Sequence, residues 1–168
     1  MSPAQEWVQV VDARNRPCGS ATRAFVRRFK LWHQASYIFV HNAQGQLCVQ
    51  RRTMTKDIFP GAYDLAAGGV VDAGESLHAG ARRELFEELG IRRRKLTHCF
   101  DFRYTDARLH CFGGVYLTEH NGPLALQASE VVDVQWLTPQ QALALDNVTP
   151  DTRVALSMLV SQGWLTAA

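Results

Sequence analysis

The stretch from Gly69 to Ile91, GVVDAGESLHAGARRELFEELGI, constrains this chain more than any other. It opens as a glycine-rich loop, Gly68-Gly69 through Gly74-Glu75-Ser76. Leu77, Ala81, Leu85 and Leu89 then recur every four residues, which predicts a helix with one buried stripe. Ser76 is placed to cap its start and Gly90 to stop it. Beside the stripe, Glu84, Glu87 and Glu88 stand at i, i+3 and i+4, so their carboxylates share one face. Like charges at this spacing repel and cost stability unless something positive lies between them. Arg83, four residues before Glu87, offsets part of the repulsion, and a hard divalent cation would offset more. Carboxylate oxygens suit Mg²⁺ or Mn²⁺, ions that keep several waters and share substrate phosphates. A solvated acidic helix face would account for the glutamates but leaves the glycine loop unexplained.

With 168 residues, 46% of them hydrophobic and 20% charged, the chain is long enough for a real core and is expected to form one domain over residues 1–168. A formal net charge of +2 is too small to argue for a nucleic-acid or membrane partner. No apolar run approaches transmembrane length, and the N-terminal MSPAQEWVQVVDARN lacks the basic-then-apolar order of a signal segment. Cys18, Cys48, Cys99 and Cys111 have no paired spacing of the zinc-site kind. They are read as reduced, mostly buried residues of a cytoplasmic protein.

Along the chain, Trp7 to Asp12 alternates as a strand and Asn15-Arg16-Pro17 turns it. Thr22 to Phe29 reads as a short basic helix whose Arg23, Arg27, Arg28 and Lys30 are expected mainly on a solvated face. Ala35–His41 and Leu47–Arg51 flank Asn42 to Gln46 as a hairpin. The second of these strands delivers Arg51 and Arg52 at its end, with Lys56 shortly beyond. After the central helix, Arg92 to Lys95 is a basic run suited to a helix C-terminus. His98–Tyr104 and Arg108–Thr118 form a second strand pair, Val131–Leu137 a further strand. Thr138-Pro139 opens a helix, and a last helix runs from Val148 or Asp151 to Leu159. Strands on both sides of a central helix, with flanking helices, predict an α/β sandwich around a mixed sheet.

The pattern Gly69, Glu75, Arg83-Glu84-Leu85, Glu87-Glu88, Gly90-Ile91 resembles a complete Nudix box. Chance would produce it in roughly one chain of this length in ten million. The resemblance implies the Nudix-type α/β/α sandwich, with the box helix held between the sheets. It also implies metal-assisted attack of water on a diphosphate in a small molecule, often by a homodimeric enzyme. By the same resemblance Glu84, Glu87 and Glu88 are metal ligands, with Glu84 or a glutamate from another loop as base. Gly69 would lend its backbone carbonyl to the metal, Arg83 would orient the glutamates, and Glu75 would fix the loop against the helix. Glu130, in SEVVDVQWL, is the candidate second base.

The segment VQRRTMTKDIFPGAYD and the later VQWLTP are similar to the isopentenyl-diphosphate-isomerase-like branch of the family, over about Trp7 to Leu159. In that branch the equivalents of Arg52 and Lys56 hold the substrate diphosphate, Arg as a fork and Lys as a point charge. Aligned on Pro60-Gly61, the isomerases' cysteine acid/base and metal-binding histidine fall on Gly68 and Val70. Neither residue can protonate an alkene or bind a metal through its side chain. Hydrolysis is therefore expected over isomerisation, and the intact glutamates disfavour a non-catalytic diphosphate-binding module. Residues recognising the leaving moiety are expected in loops near Phe59 and Tyr63 or on the strands around Phe102 and Tyr104, where aromatics more often belong to the core than to a stacking platform.

Overall fold

The computed structural model describes residues 2–166. Its strands are β1 (Trp7–Val11), β2 (Pro17–Thr22), β3 (His33–His41), β4 (Leu47–Arg52), β5 (Tyr63–Asp64), β6 (Thr97–Thr105), β7 (His110–Glu119) and β8 (Val131–Leu137). The helices are α1 (Arg23–Phe29), α2 (Leu77–Leu89), α3 (Pro139–Leu143) and α4 (Pro150–Ser161). All the strands join in one mixed sheet.

β3 is its spine. The strand is buried along nearly its whole length and runs parallel to β7 from His33↔Cys111 to His41↔Glu119. Continuous burial is the mark of a strand covered on both faces. Tyr37, Phe39, Leu47 and Val49 point to one face and share a core cluster with Ala142 of α3 and Leu156 and Leu159 of α4. Ile38, Val40 and Cys48 point to the other, packed with Ala81, Leu85 and Leu89 of α2. The result is the expected α/β/α sandwich.

The turn at Asn42 to Gln46 forms, with Asn42 Oδ1 accepting the Gln44 and Gln46 N–H groups and Gly45 at φ 74°. The strands it joins, however, pair only at His41↔Leu47. β3 pairs with β7, and β4 with β8, along their whole lengths, so away from that single contact the sheet divides into two arms. Apolar pattern identified both strands but does not encode which buried strand each will choose. Trp136 and Val134 of the β4–β8 arm pack against the α2 cluster together with Ile38 and Tyr116 of the β3–β7 arm. The helix is thus held against both arms.

The other edge of β3 is shared by three segments. β1 meets it at Val10↔His33 and β4 at His41↔Leu47. Between them runs the glycine loop. Ile38 and Ala67 exchange backbone hydrogen bonds at 2.7 and 2.9 Å, Ser36 N–H donates to Gly69 O at 2.9 Å, and Val71 N–H donates to Gln34 O at 2.9 Å. The loop is fixed to the most buried strand of the protein. The cysteines are all free, but only Cys48 and Cys111 are buried; Cys18 is exposed on β2, an edge strand with no apolar alternation.

Candidate active site

α2 begins as expected, with the Ser76 side chain accepting the Ala79 N–H at 3.1 Å, and ends at Gly90 with φ 70°. Packing of Ala81, Leu85 and Leu89 into the sheet turns the three glutamates toward the glycine loop. Glu88 is 9% exposed, and its Oε1 accepts the Gly68 N–H at 2.7 Å. Glu84 and Glu87 both accept from Arg83 Nη1, at 2.9 and 3.2 Å. The same guanidinium donates from Nε and Nη2 to the two oxygens of Glu75, at 2.9 and 3.1 Å. A bidentate pair of this kind is directional as well as strong. Arg83 therefore staples the loop to the helix and neutralises two box glutamates at once.

The electrostatics follow from burial. Loss of water pushes the Glu88 carboxyl well above the usual range; Glu84 adds to this, and the Gly68 N–H and Lys56 pull it back. Burial likewise lifts Glu84 to about 7, with Arg83 opposing and Glu87 reinforcing. Burial works on Glu75 in the same direction, but its hydrogen bonds from Arg83 and the Asp72 N–H outweigh it and hold that carboxyl below its ordinary value.

Two glycines make this approach possible. A Cβ on Gly68 would lie 1.9 Å from the Ser36 carbonyl oxygen, and one on Gly69 would lie 2.6 Å from Glu84 Oε1. Gly68 thus excludes the isomerase cysteine by geometry, since no side chain fits there. The carbonyl of Gly69 accepts the Ser36 N–H in the β3 ladder, and the backbone N–H that meets Glu88 is that of Gly68.

A cleft of about 590 Å³ opens over this floor, and Arg52, Lys56, Glu84, Glu87, Glu88 and Glu130 all line it. The two cations expected to hold a diphosphate are already engaged. Arg52 donates to Asp64 at 2.8 Å and forks onto the Ile58 carbonyl at 3.2 and 2.8 Å, while Lys56 forms an ion pair with Glu130. Of the aromatics near the expected recognition segments, Phe59 lines the cleft, and Tyr63, Phe102 and Tyr104 pack in or against the core. Arg23 and Arg27 of α1, expected on a solvated face, line the cleft instead, with Arg23 3.6 Å from Glu6 and Arg27 paired to Asp57. Arg28 and Lys30 are exposed, as are Arg92 to Lys95. Tyr37, Asp64, Thr149 and Asp151 also reach the cleft. Nothing in their local sequence marked them, because hydrogen-bonded partners such as Tyr37 and Asp151 are 114 residues apart.

Among the described residues, no three carboxylate, imidazole or thiolate side chains stand close enough to hold one ion together. The donor set nonetheless fits a hard cation. Burial disfavours the charge of Glu84 and Glu88, Glu87 lines the same cleft, and Gly69 leaves open the space next to Glu84. Arg83 occupies the place of that positive charge for Glu84 and Glu87.

A glycine loop laid on a central strand and clamped to a glutamate-bearing helix defines the class. The NUDIX domain family matches residues 31–158, and the chain belongs to the Nudix hydrolase family. It is 43% identical to the Nudix hydrolase YfcD of Escherichia coli K12, covering 91% of this chain and 86% of that one. The Nudix hydrolase orf19 of Rhodococcus erythropolis is 36% identical, covering 84% of this chain and 82% of its own. Among solved structures, DR0079 from Deinococcus radiodurans superposes with a TM-score of 0.81 at 26% identity, covering 91% of this chain and 98% of that one.

Proposed function

We propose that this chain is a single Nudix domain that hydrolyses a pyrophosphate bond in a small organic or nucleoside diphosphate derivative, dependent on Mg²⁺ or Mn²⁺. The observation that carries the reading is the gathering of Glu84, Glu87 and Glu88, all intact, on the floor of a cleft lined with cations. These glutamates would hold the metal. When bound, it would neutralise phosphate oxygens and activate a water. Glu84 and Glu130, both lining the cleft, are the two candidates for taking the water's proton. Arg52, fixed by Asp64 and Ile58, and Lys56, exchanging Glu130 for phosphate, supply positive charge to the diphosphate. Isomerisation is not supported, since Gly68 and Val70 offer neither an acid nor a ligand side chain.

Glu88→Gln tests the assignment. Phosphate release from a panel of diphosphates with Mg²⁺ should fall by about a hundredfold or more, while circular dichroism and melting show a folded protein. Turnover by the variant at the wild-type rate would remove Glu88 from the site.

A further inference from the structure

A second pocket, of about 40 Å³, adjoins the cleft where the end of α1 meets the starts of β3 and β7. Arg23, Arg27, His33, Val70 and Leu109 line both spaces. The charged lining of the smaller one is of a single sign. Arg23, Arg27, Lys30 and Arg108 stand there with the imidazoles of His33 and His110, and no carboxylate joins them among the described residues. The chain carries a formal net charge of only +2, so four formal cations around so small a space are a local arrangement and not a reflection of composition.

These cations are unequally compensated. Arg27 is paired to Asp57. Arg23 has Glu6 at 3.6 Å, too far for a hydrogen bond, and its buried Nε–H donates to nothing among the described residues. Lys30 and Arg108 form no ion pair among the described residues. Arg108 lies 4.6 Å from the centre of the Phe59 ring, a stack that covers one face of the guanidinium and uses none of its N–H groups. His33 Nδ1 donates to the Leu31 carbonyl at 3.0 Å. Burial holds the His33 imidazole below its ordinary pKa; that carbonyl opposes the shift, and Arg23, Arg27 and His110 add to it. The component missing from such a field is an anion. Two uncompensated cations, Lys30 and Arg108, match a dianion, and the guanidinium fork suits phosphate oxygens. At roughly 10–15 Å³ for each water-sized group, the space admits about three of them. That suits the terminal oxygens of a phosphoryl group and excludes a sugar or a base.

We propose that Arg23, Lys30 and Arg108 form a second anion subsite, which takes one phosphoryl dianion apart from the diphosphate held over the glutamates. The dianion is a phosphate ester on the organic moiety of the substrate or free inorganic phosphate, and the same chemistry recognises both. The position of the diphosphate rests on the hydrolase reading, whereas the subsite stands without it.

The first probe is inorganic phosphate, titrated into the full-length protein with Mg²⁺ and followed by calorimetry and by NMR at the arginine Nε–H resonances. The Arg23 resonance, assigned by its loss in Arg23→Lys, should shift to saturation. Lys30→Met and Arg108→Gln should each weaken phosphate by about tenfold. Lys30 lines only the smaller pocket, so Lys30→Met should hydrolyse a diphosphate without further phosphate at the wild-type rate. No saturable binding, an unmoved Arg23 resonance, or phosphate binding unchanged in both folded variants overturns the proposal. Adenosine 5′-diphosphate and its 3′-phosphorylated counterpart, bound with Ca²⁺ in place of Mg²⁺, separate the two sources. If the ester enters, the 3′-phosphate should tighten binding by about tenfold in the wild type but not in Lys30→Met, and should displace free phosphate. If free phosphate is the ligand, the two nucleotides bind alike and phosphate binds beside them. Phosphate binding without hydrolysis of any diphosphate would remove the hydrolase reading and leave the subsite standing. Hydrolysis without phosphate binding would do the reverse.

Discussion

Glu84 combines a fixed partner with a perturbed charge. Its ordinary carboxyl value is 4.5, and burial lifts it to about 7 in the folded protein against the opposing charge of Arg83. An acid whose pKa is raised on folding favours the folded state in its protonated form. That contribution is fully present below about 4.5 and is lost as pH rises through about 7. The expected loss is on the order of 3 kcal/mol, and Glu88 is shifted in the same direction. Metal-free protein should therefore melt at progressively lower temperature between these pH values. Glu84→Gln should flatten the decline, and Mg²⁺ added at neutral pH should reverse much of it. Scanning calorimetry across this range checks all three. A wild-type profile as flat as that of the variant would show that the carboxyl is not held out of water as described.

At the level of elements, the glycine loop and β3 work as one unit. Gly68 sits at φ 147° with no room for a Cβ against the Ser36 carbonyl. Gly68→Ala must push the loop off the strand, break the bond from its N–H to Glu88, and so disturb the floor of the cleft. The expected cost is about 3 kcal/mol or more in urea unfolding, with turnover lost together with stability. The box helix was legible because its evidence is local: a stripe, a cap, a stop, and carboxylates at helical spacing. The last strand and the Thr138-Pro139 helix start were legible for the same reason, and the structure carries the capping box of Thr138 and Gln141. β2, PCGSAT, gave no signal, because an exposed edge strand needs no alternation to be held by β1. The Asp64, Thr149 and Asp151 group was equally silent. It exists only once α4 has packed on β3 and β5, and its hydrogen bonds span 85 to 114 residues.

For the whole molecule, the sheet keeps two cores apart. Leu85, on α2, belongs to one and Leu156, on α4, to the other; they are 3% and 0% exposed. Each Leu→Ala change should cost about 2–5 kcal/mol. Because the sheet lies between them and they share no cluster, the double variant should lose the sum to within about half a kcal/mol. A large coupling energy in chemical denaturation would mean that the two faces repack together. The sharing of one β3 edge by three segments has a further consequence, in the order in which parts of the protein can open. Between the two strand contacts, the glycine loop is the hydrogen-bonded neighbour that Ser36 and Ile38 have on that edge among the described residues. It cannot lift off to admit a larger substrate without exposing the amides of the central strand. Opening at the floor of the cleft is thereby tied to opening of the buried central strand. Any adjustment to substrate size falls to the side chains of the other walls, such as the Lys56–Glu130 ion pair and Arg23 and Arg27 of α1.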